Sequence, residues 1–301
     1  MVRSLAALAL WLSLCPLCLY SENTSLESRL APLEKAHKGK VAIAVKHLET
    51  GDSFTLNADE AMPTASLIKL AVMAEVYQQA ADGKIKLADP VTLRKDDKVQ
   101  GSGILTEHFS EGATFPLRDA VRLMIVFSDN TATNLVLDKI GIASTGKRMH
   151  EWGFPNTMIH HKVFKGGSTS IDAERSKKYG LGSTTANEMI GLLEKLHQGK
   201  LVSAEASKEM LEHLKKCEDK DKFPALLTDG TVVAHKTGSV NEVRTDAGII
   251  YTPGGPVAVC VLTNDNEDQR WKPDNAGNVL CAKVAKEVYD YFAAKGKREK
   301  P

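Results

Sequence analysis

The apolar pattern of this chain changes period twice, and that constrains its fold more than any other feature. Val41 to Leu48 is apolar and β-branched, Glu49-Thr50-Gly51-Asp52 turns, and Ser53 to Leu56 returns, which reads as a hairpin. From Ser66 to about residue 222 helical spacing dominates. Ser66 opens a helix that stops near Asp82-Gly83, and further helices read over Leu117–Phe127, Thr131–Ile140, Thr184–His197 and Ser203–Lys216. Strand patterns return over Thr231–His235, Ala247–Thr252 and Pro256–Thr263, and Asn275–Ala294 closes with a helix. Ser25 to Ala36, with Leu26, Leu30 and Leu33 at helical spacing, reads as an amphipathic helix. The predicted class is α+β: an antiparallel sheet built from both chain ends with flanking helices, plus an inserted all-α lobe. The expected divisions are a signal peptide over 1–22, a discontinuous α/β domain over 23–65 and 223–301, and an inserted all-α domain over 66–222.

The N-terminus reads as an export signal. Arg3 precedes an apolar run from Leu5 to Leu19 of about 15 residues, short of the ~20 that a membrane helix needs. The expected protein is therefore exported, periplasmic or secreted, with no membrane span in its mature part. Cys15 or Cys18 as a lipid anchor, or an uncleaved signal anchor, are the alternatives. Cys217, Cys260 and Cys281 remain, an odd number that makes no complete disulfide framework. Cys260 lies in an apolar run and reads as a buried strand residue. The net charge of +1 argues against nucleic acid as a partner. The basic run Lys295 to Lys300 reads as a solvated tail. Adjacent His160 and His161 diverge in regular structure, so no metal is expected, nor any other cofactor. The expected protein is a monomer acting on a small substrate.

Three short strings carry chemistry: Ser66-Leu67-Ile68-Lys69, Ser128-Asp129-Asn130 and Lys236-Thr237-Gly238. Ser66 begins a helix and Lys69 lies one turn on, on the same face. A serine hydroxyl is a poor nucleophile until a neighbouring base takes its proton. Lysine becomes that base when burial or a second cation lowers its pKa, and Lys236 supplies a second cation. Ser128 can relay a proton to a leaving amine, Asn130 can hold a substrate amide, and Asp129 braces the turn. In an ideal strand Lys236 and Gly238 share one face and Thr237 faces away, and Gly238 lets a ligand backbone approach. The N–H groups of Ser66 and Ser239 can form an oxyanion hole. His235 receives no role. Each string alone also has a plain structural reading, as an N-cap, a helix junction or a strand end. Ser144-Thr145-Gly146-Lys147 repeats S-x-x-K and reads as an accidental loop.

All three strings in this order resemble the class A β-lactamase and penicillin-binding serine hydrolase family. The similarity spans roughly residues 25–295 and includes Pro63-Thr64-Ala65 before Ser66, the run Leu123 to Asn134, and Ala247-Gly248-Ile249-Ile250. The resemblance implies that Ser66 is the acylated nucleophile, Lys69 its base, and Ser128 the proton relay, with Lys236 and Thr237 binding a carboxylate. The substrate it implies is a β-lactam or a D-Ala-D-Ala-like amide.

Two departures stand out. Class A members carry a loop glutamate, followed shortly by asparagine, that activates the deacylating water; residues 159–183 here hold no such string. Glu174 is the remaining candidate for that base, within the charged helical turn Ile171–Lys178. The usual basic residue before Gly-Ile-Ile is Ala247, with Arg244 as a nearby substitute or else paired with Asp246 or Glu242. General-base assistance is worth ~10²–10⁴-fold, or roughly 3–5 kcal/mol of barrier, so deacylation should be slow without it. This favours the penicillin-binding branch, whose members also carry a segment like Gly101-Ser102-Gly103-Ile104-Leu105. The expected function is β-lactam hydrolysis through an acyl-enzyme on Ser66. The alternatives are a D-Ala-D-Ala carboxypeptidase and a non-catalytic β-lactam sensor.

Overall fold

The computed structural model describes residues 25–298. The expected signal segment, with Cys15 and Cys18, lies outside them, as do residues 299–301. Ser25 caps α1 (Leu26–Ala36) by accepting the Ser28 N–H at 3.2 Å. The predicted hairpin follows as β1 (Lys40–His47) and β2 (Ser53–Leu56). β3 (Met62–Pro63) leads to a 3₁₀ turn over Ala65–Ile68 and then α2 (Lys69–Ala81). The middle of the chain runs through β4 (Pro90–Thr92), α3 (Leu105–His108), β5 (Thr114–Pro116) and α4 (Leu117–Val126). It continues through α5 (Asn130–Ile140), α6 (Ile142–Glu151), β6 (Met158–Ile159), α7 (Gly166–Thr169) and α8 (Ala173–Tyr179). β7 (Gly182–Thr184), α9 (Ala186–His197) and α10 (Ala204–Lys215) complete it. After a 3₁₀ turn over Phe223–Leu226 come β8 (Val233–Val240), β9 (Val243–Thr252), β10 (Gly255–Asn264) and α11 (Ala276–Arg298).

Five strands form one antiparallel sheet in the order β2-β1-β10-β9-β8, so both chain ends build it. Both faces are covered, and the sequence shows why. Ala42, Ala44, Ala247, Ala258 and Cys260 turn toward the helical layer, where small residues let helices approach. Val41, Ile43, Val45, Val257, Val259 and Val261 turn the other way, onto α1 and α11. α2 is the hub of the helical layer: every residue from Lys69 to Tyr77 is buried. An all-round buried helix has no polar face to spare, which makes the lysine at its start conspicuous.

Three expectations change. The segment Ser144–Lys147 is no loop: it lies within α6, with Thr145 and Met149 buried on the inner face four residues apart. The middle of the chain is not purely helical, because β3, β7 and β6 form a small sheet and β4 pairs with β5. The C-terminal basic run is not simply a tail: α11 continues to Arg298, and Lys295 Nζ meets Asp52 Oδ2 at 2.8 Å. Among the described residues no helix is long and apolar enough to cross a membrane.

Candidate active site

The chain reaches Ser66 through strained backbone. Ala65, just before it, has φ +46°, a left-handed conformation that a Cβ disfavours. From Met62 to Tyr77 only Ser66 is not buried, so its side chain opens a wall that is otherwise closed. The first turn is 3₁₀ rather than α, and Lys69 then starts α2.

Lys69 is fully buried. Its Nζ donates to Ser128 O at 2.7 Å, Asn130 Oδ1 at 2.9 Å and Ser128 Oγ at 3.3 Å. Burial holds its pKa well below the lysine value; the Lys236 charge adds to this and Asp129 partly offsets it. Lys236, also fully buried, donates from Nζ to Ser128 Oγ at 3.0 Å and to its neighbour Thr237 O at 2.8 Å. Two amines thus meet at one hydroxyl. Ser128 itself sits at φ +52°, between α4 and α5. Strain of this kind costs ~1–3 kcal/mol and persists only where the surroundings impose it.

Asp129 does the imposing. Its Oδ1 accepts the Ala132 N–H at 2.8 Å, and its Oδ2 accepts the N–H groups of Ile104 and Leu105 at 2.7 and 2.8 Å. The bracing role expected for it is what its hydrogen bonds describe. The loop Gly101–Gly103 closes on this corner: Ser102 O accepts the Asn130 N–H at 2.9 Å. A Cβ on Gly103, at φ +121°, would lie 2.3 Å from Asp129 Cγ. Asn130 has protein partners at both ends of its amide, Lys69 at Oδ1 and Gln100 O at 3.1 Å from Nδ2.

β8 is an edge strand of the sheet. It runs five residues beyond the predicted His235, because pairing with β9 continues from Lys236↔Ala247 to Val240↔Val243. A cleft at an edge meets backbone and both side-chain faces, so Thr237 lines it beside Lys236 despite strict alternation. Gly238 is needed for a different approach than a ligand's. A Cβ there would lie 2.3 Å from Thr64 O, 2.5 Å from Thr245 Oγ1 and 2.9 Å from Leu67 N. The missing side chain lets β8 press against the turn that carries Ser66. Gly238→Ala is therefore expected to destabilise the fold by at least ~3 kcal/mol, the top of the overpacking range, since two of the three contacts are backbone. Thermal unfolding checks this, and a melting temperature within 2–4 °C of the parent, the shift roughly worth 1 kcal/mol at this size, would contradict it.

Two cavities meet at Ser66. The smaller, about 350 Å³, is lined by Ser128, Lys236, Thr237, Cys217, Asp219 and Lys222 among others. The larger, about 920 Å³, is lined by Asn130, Val163, Phe164, Tyr179 and Trp271 among others. Ser66, Ser102, Ser239 and Trp271 border both. Asn134 places Val163, accepting its N–H at 2.8 Å and donating to its carbonyl at 3.0 Å.

Two candidates are not in working positions. Glu174 is solvent-exposed on α8 and lines neither cavity. The N-cap Asp172, which accepts the Arg175 N–H at 2.9 Å, fixes that turn with Glu174 outward. Arg244 borders the smaller cavity, but its guanidinium is committed to carbonyls: Val240 O, Val243 O at 2.9 Å, Asn241 O at 3.3 Å and Arg270 O at 2.8 Å. It also lies 5.0 Å from the Trp271 ring centre. It pairs with neither Asp246 nor Glu242, because it closes the β8–β9 turn instead. Sequence reasoning missed Asp219, Lys222 and Cys217 in the cleft wall. The i,i+3 pair Asp219–Lys222, at 2.8 Å, was a visible signal; Cys217 had none.

A lysine whose burial disfavours its proton, bonded to the Ser128 hydroxyl and three residues after a serine that opens to a cleft, suits acyl transfer, and fold and site together define a serine acyl hydrolase. The family model described as "Beta-lactamase enzyme family" matches residues 25–292, and the chain belongs to that family. A beta-lactamase of Bacillus licheniformis is 25% identical over 92% of this chain and 87% of its own. A beta-lactamase of Proteus vulgaris is 29% identical over a shorter stretch, 42% of this chain and 41% of that protein. Among solved structures, a beta-lactamase from Sphaerobacter thermophilus superposes with a TM-score of 0.76 at 26% identity, covering 89% of this chain and 96% of the other. The protein called PBP-A gives a TM-score of 0.78 at 25% identity, covering 90% and 97%.

Proposed function

We propose that Ser66 attacks a β-lactam amide to form an acyl-enzyme, and that this ester is hydrolysed slowly. Lys69 takes the Ser66 proton; its burial and the Lys236 charge favour the free amine that a base requires. The N–H groups of Ser66 and Ser239 receive the developing oxyanion. Ser128, within reach of both lysines, hands a proton to the leaving nitrogen. Lys236 and Thr237 hold the substrate carboxylate. Arg244 is too fully engaged to share that task.

The observation that carries the slow step is the hydrogen-bond set of Lys69. Among the described residues its partners are a carbonyl, a hydroxyl and an amide, and no carboxylate. The nearest acid in the same string, Asp129, is occupied by three backbone N–H groups. A carboxylate at this corner would polarise the deacylating water; an apolar Val163 borders the larger cavity instead. The edge position of β8 also suits an extended peptide, which supports the D-Ala-D-Ala carboxypeptidase as the second reading.

Intact mass and colour decide together. Mixed with benzylpenicillin, the protein should gain the mass of one penicillin and keep it. With a chromogenic cephalosporin it should show a stoichiometric burst, then turnover at least ~10²-fold below the ~10 s⁻¹ of a median enzyme. Rapid turnover without an accumulating adduct would remove the slow step. No adduct with any β-lactam would remove the whole reading. Release of D-Ala from an acyl-D-Ala-D-Ala peptide would favour the peptidase.

A further inference from the structure

The most exposed apolar side chains of this molecule gather in one place. Among the described residues, the three large hydrophobic side chains most open to solvent are Trp271 at 66%, Phe164 at 58% and Val240 at 48%. All three line the larger cavity beside Ser66. Single exposed apolar residues are normal on a protein surface, but a cluster of them in a concavity marks a binding site. At about 920 Å³ the cavity lies within the ~300–1,000 Å³ of small-molecule sites.

Both rings are held in place. Arg244 is the seat of Trp271: its guanidinium lies 5.0 Å from the indole centre, within the ~6 Å of a cation–π contact. The same guanidinium bonds to Val240 O, Asn241 O and Val243 O around the turn between β8 and β9, and to Arg270 O, the carbonyl just before Trp271. Asn241, in that turn, accepts the Trp271 Nε1–H at 3.3 Å. One buried cation thus fixes both the indole and its hydrogen-bond acceptor. Gly277 leaves space for it, since a Cβ there would lie 2.7 Å from Arg244 Cγ. Phe164 has φ +57°, a left-handed conformation that is costly for a bulky residue. Its neighbour Val163 is clamped by Asn134 through both backbone groups. Gly101 leaves room for the Phe164 ring, because a Cβ there would lie 3.2 Å from Phe164 Cε2.

Ser128, Lys236 and Thr237 line the smaller cavity, so a substrate's carboxylate and leaving nitrogen belong there. The acyl side chain leaves the same carbonyl carbon in the other direction and enters the larger cavity. We propose that Trp271 and Phe164 select a planar apolar acyl side chain, such as a phenylacetyl group, with Trp271 the specificity-determining residue and Arg244 the positioning residue that holds it. The proposal rests on the reading of Ser66 as the nucleophile. It gives the buried Arg244 a task other than carboxylate binding. Aromatic rings favour one another in offset-stacked or edge-to-face arrangements, so a flat group gains more here than a small or branched one.

The test compares second-order acylation rates, in the full chain, for benzylpenicillin and for 6-acetamidopenicillanic acid, which lacks only the phenyl ring. The parent should favour benzylpenicillin by at least about tenfold, the low end of what an apolar contact discriminates in a pocket. Trp271→Ala should lower that ratio about tenfold. Trp271→Phe should keep the ratio within about threefold of the parent's, because it retains a ring and loses one N–H. Arg244→Lys should lower the ratio as Trp271→Ala does, since an ammonium keeps the charge without the flat face on which the indole rests. Asn241→Ala, at an exposed position, replaces it if Arg244→Lys fails to fold. A parent that reacts with both penicillins alike, or a ratio unchanged in Trp271→Ala, overturns the proposal. A purely structural role for Arg244 would slow both reactions, lower thermal stability and leave the ratio in place, and that result removes it as the positioning residue.

A second readout does not depend on acylation. By calorimetry, benzylpenicillin should bind Ser66→Ala about tenfold more tightly than 6-acetamidopenicillanic acid does, and adding Trp271→Ala should abolish the difference. If the parent forms no adduct while that difference persists, the nucleophile reading falls and the Trp271 subsite stands. If the parent is acylated at a ratio that Trp271→Ala does not change, the subsite falls and the nucleophile stands.

Discussion

Ser66→Ala is expected to gain no mass from benzylpenicillin and to release no colour from a chromogenic cephalosporin. Loss of a serine nucleophile costs on the scale of ~10⁶ in rate, because no other group can replace the covalent step. The fold should survive. Ser66 is only half-buried, and a half-exposed serine that loses one oxygen usually changes stability within about ±0.5 kcal/mol. The effect is therefore chemical and separable from folding, which circular dichroism of the variant checks. Ser128 is the hydroxyl to watch. It is bonded to both lysines, so an adduct that persists in Ser66→Ala and maps to Ser128 would move the nucleophile there. Ser144, the other serine of an S-x-x-K string, should never carry the adduct. Its hydroxyl bonds to Gly141 O at 2.8 Å within α6, outside the linings of both cavities at Ser66.

Lys69→Met should lower the acylation rate by ~10²–10⁴, equal to about 3–5 kcal/mol of barrier, because it keeps the length of the side chain and removes the base. The pH dependence gives the sign. The free amine is the active form, so in the parent acylation should be lost as pH falls through the depressed Lys69 pKa and be full above it. Lys69→Met should lose that acid limb altogether, with the residual rate flat across it. Lys69→Arg should not rescue, since a guanidinium keeps its proton in proteins. Stopped-flow acylation between pH 4 and 9 reads all three. An unchanged acid limb in Lys69→Met would mean that another group, reached through Ser128, accepts the Ser66 proton.

The S-x-x-K string was readable because it is local. A helical start puts Ser66 and Lys69 one turn apart on one face, although the first turn proved 3₁₀ and the Lys69 amine bonds to Ser128 and Asn130. The sheet was readable for a similar reason: alternation of alanine with valine in β1 and β10 needs two covered faces, and two covers were available. Arg244 and Glu174 were harder. A sequence shows that a guanidinium lies near a strand and a carboxylate near a loop, but not which carbonyls or how much solvent they meet. Arg244 was claimed by the turn it closes, and Glu174 by the outer face of α8.

The chain's own order of residues determined which groups exist to do chemistry: one hydroxyl ahead of a lysine, a second hydroxyl, and a cation on a strand. Only tertiary structure decided that they meet. Lys69 and Ser128 are 59 positions apart, and Lys236 and Ser128 are 108 apart, so their contacts depend on sheet register and on helices packed against it. The same holds for the loss of water around them. Burial, which holds the Lys69 pKa well below the lysine value, is a property of the whole packed interior.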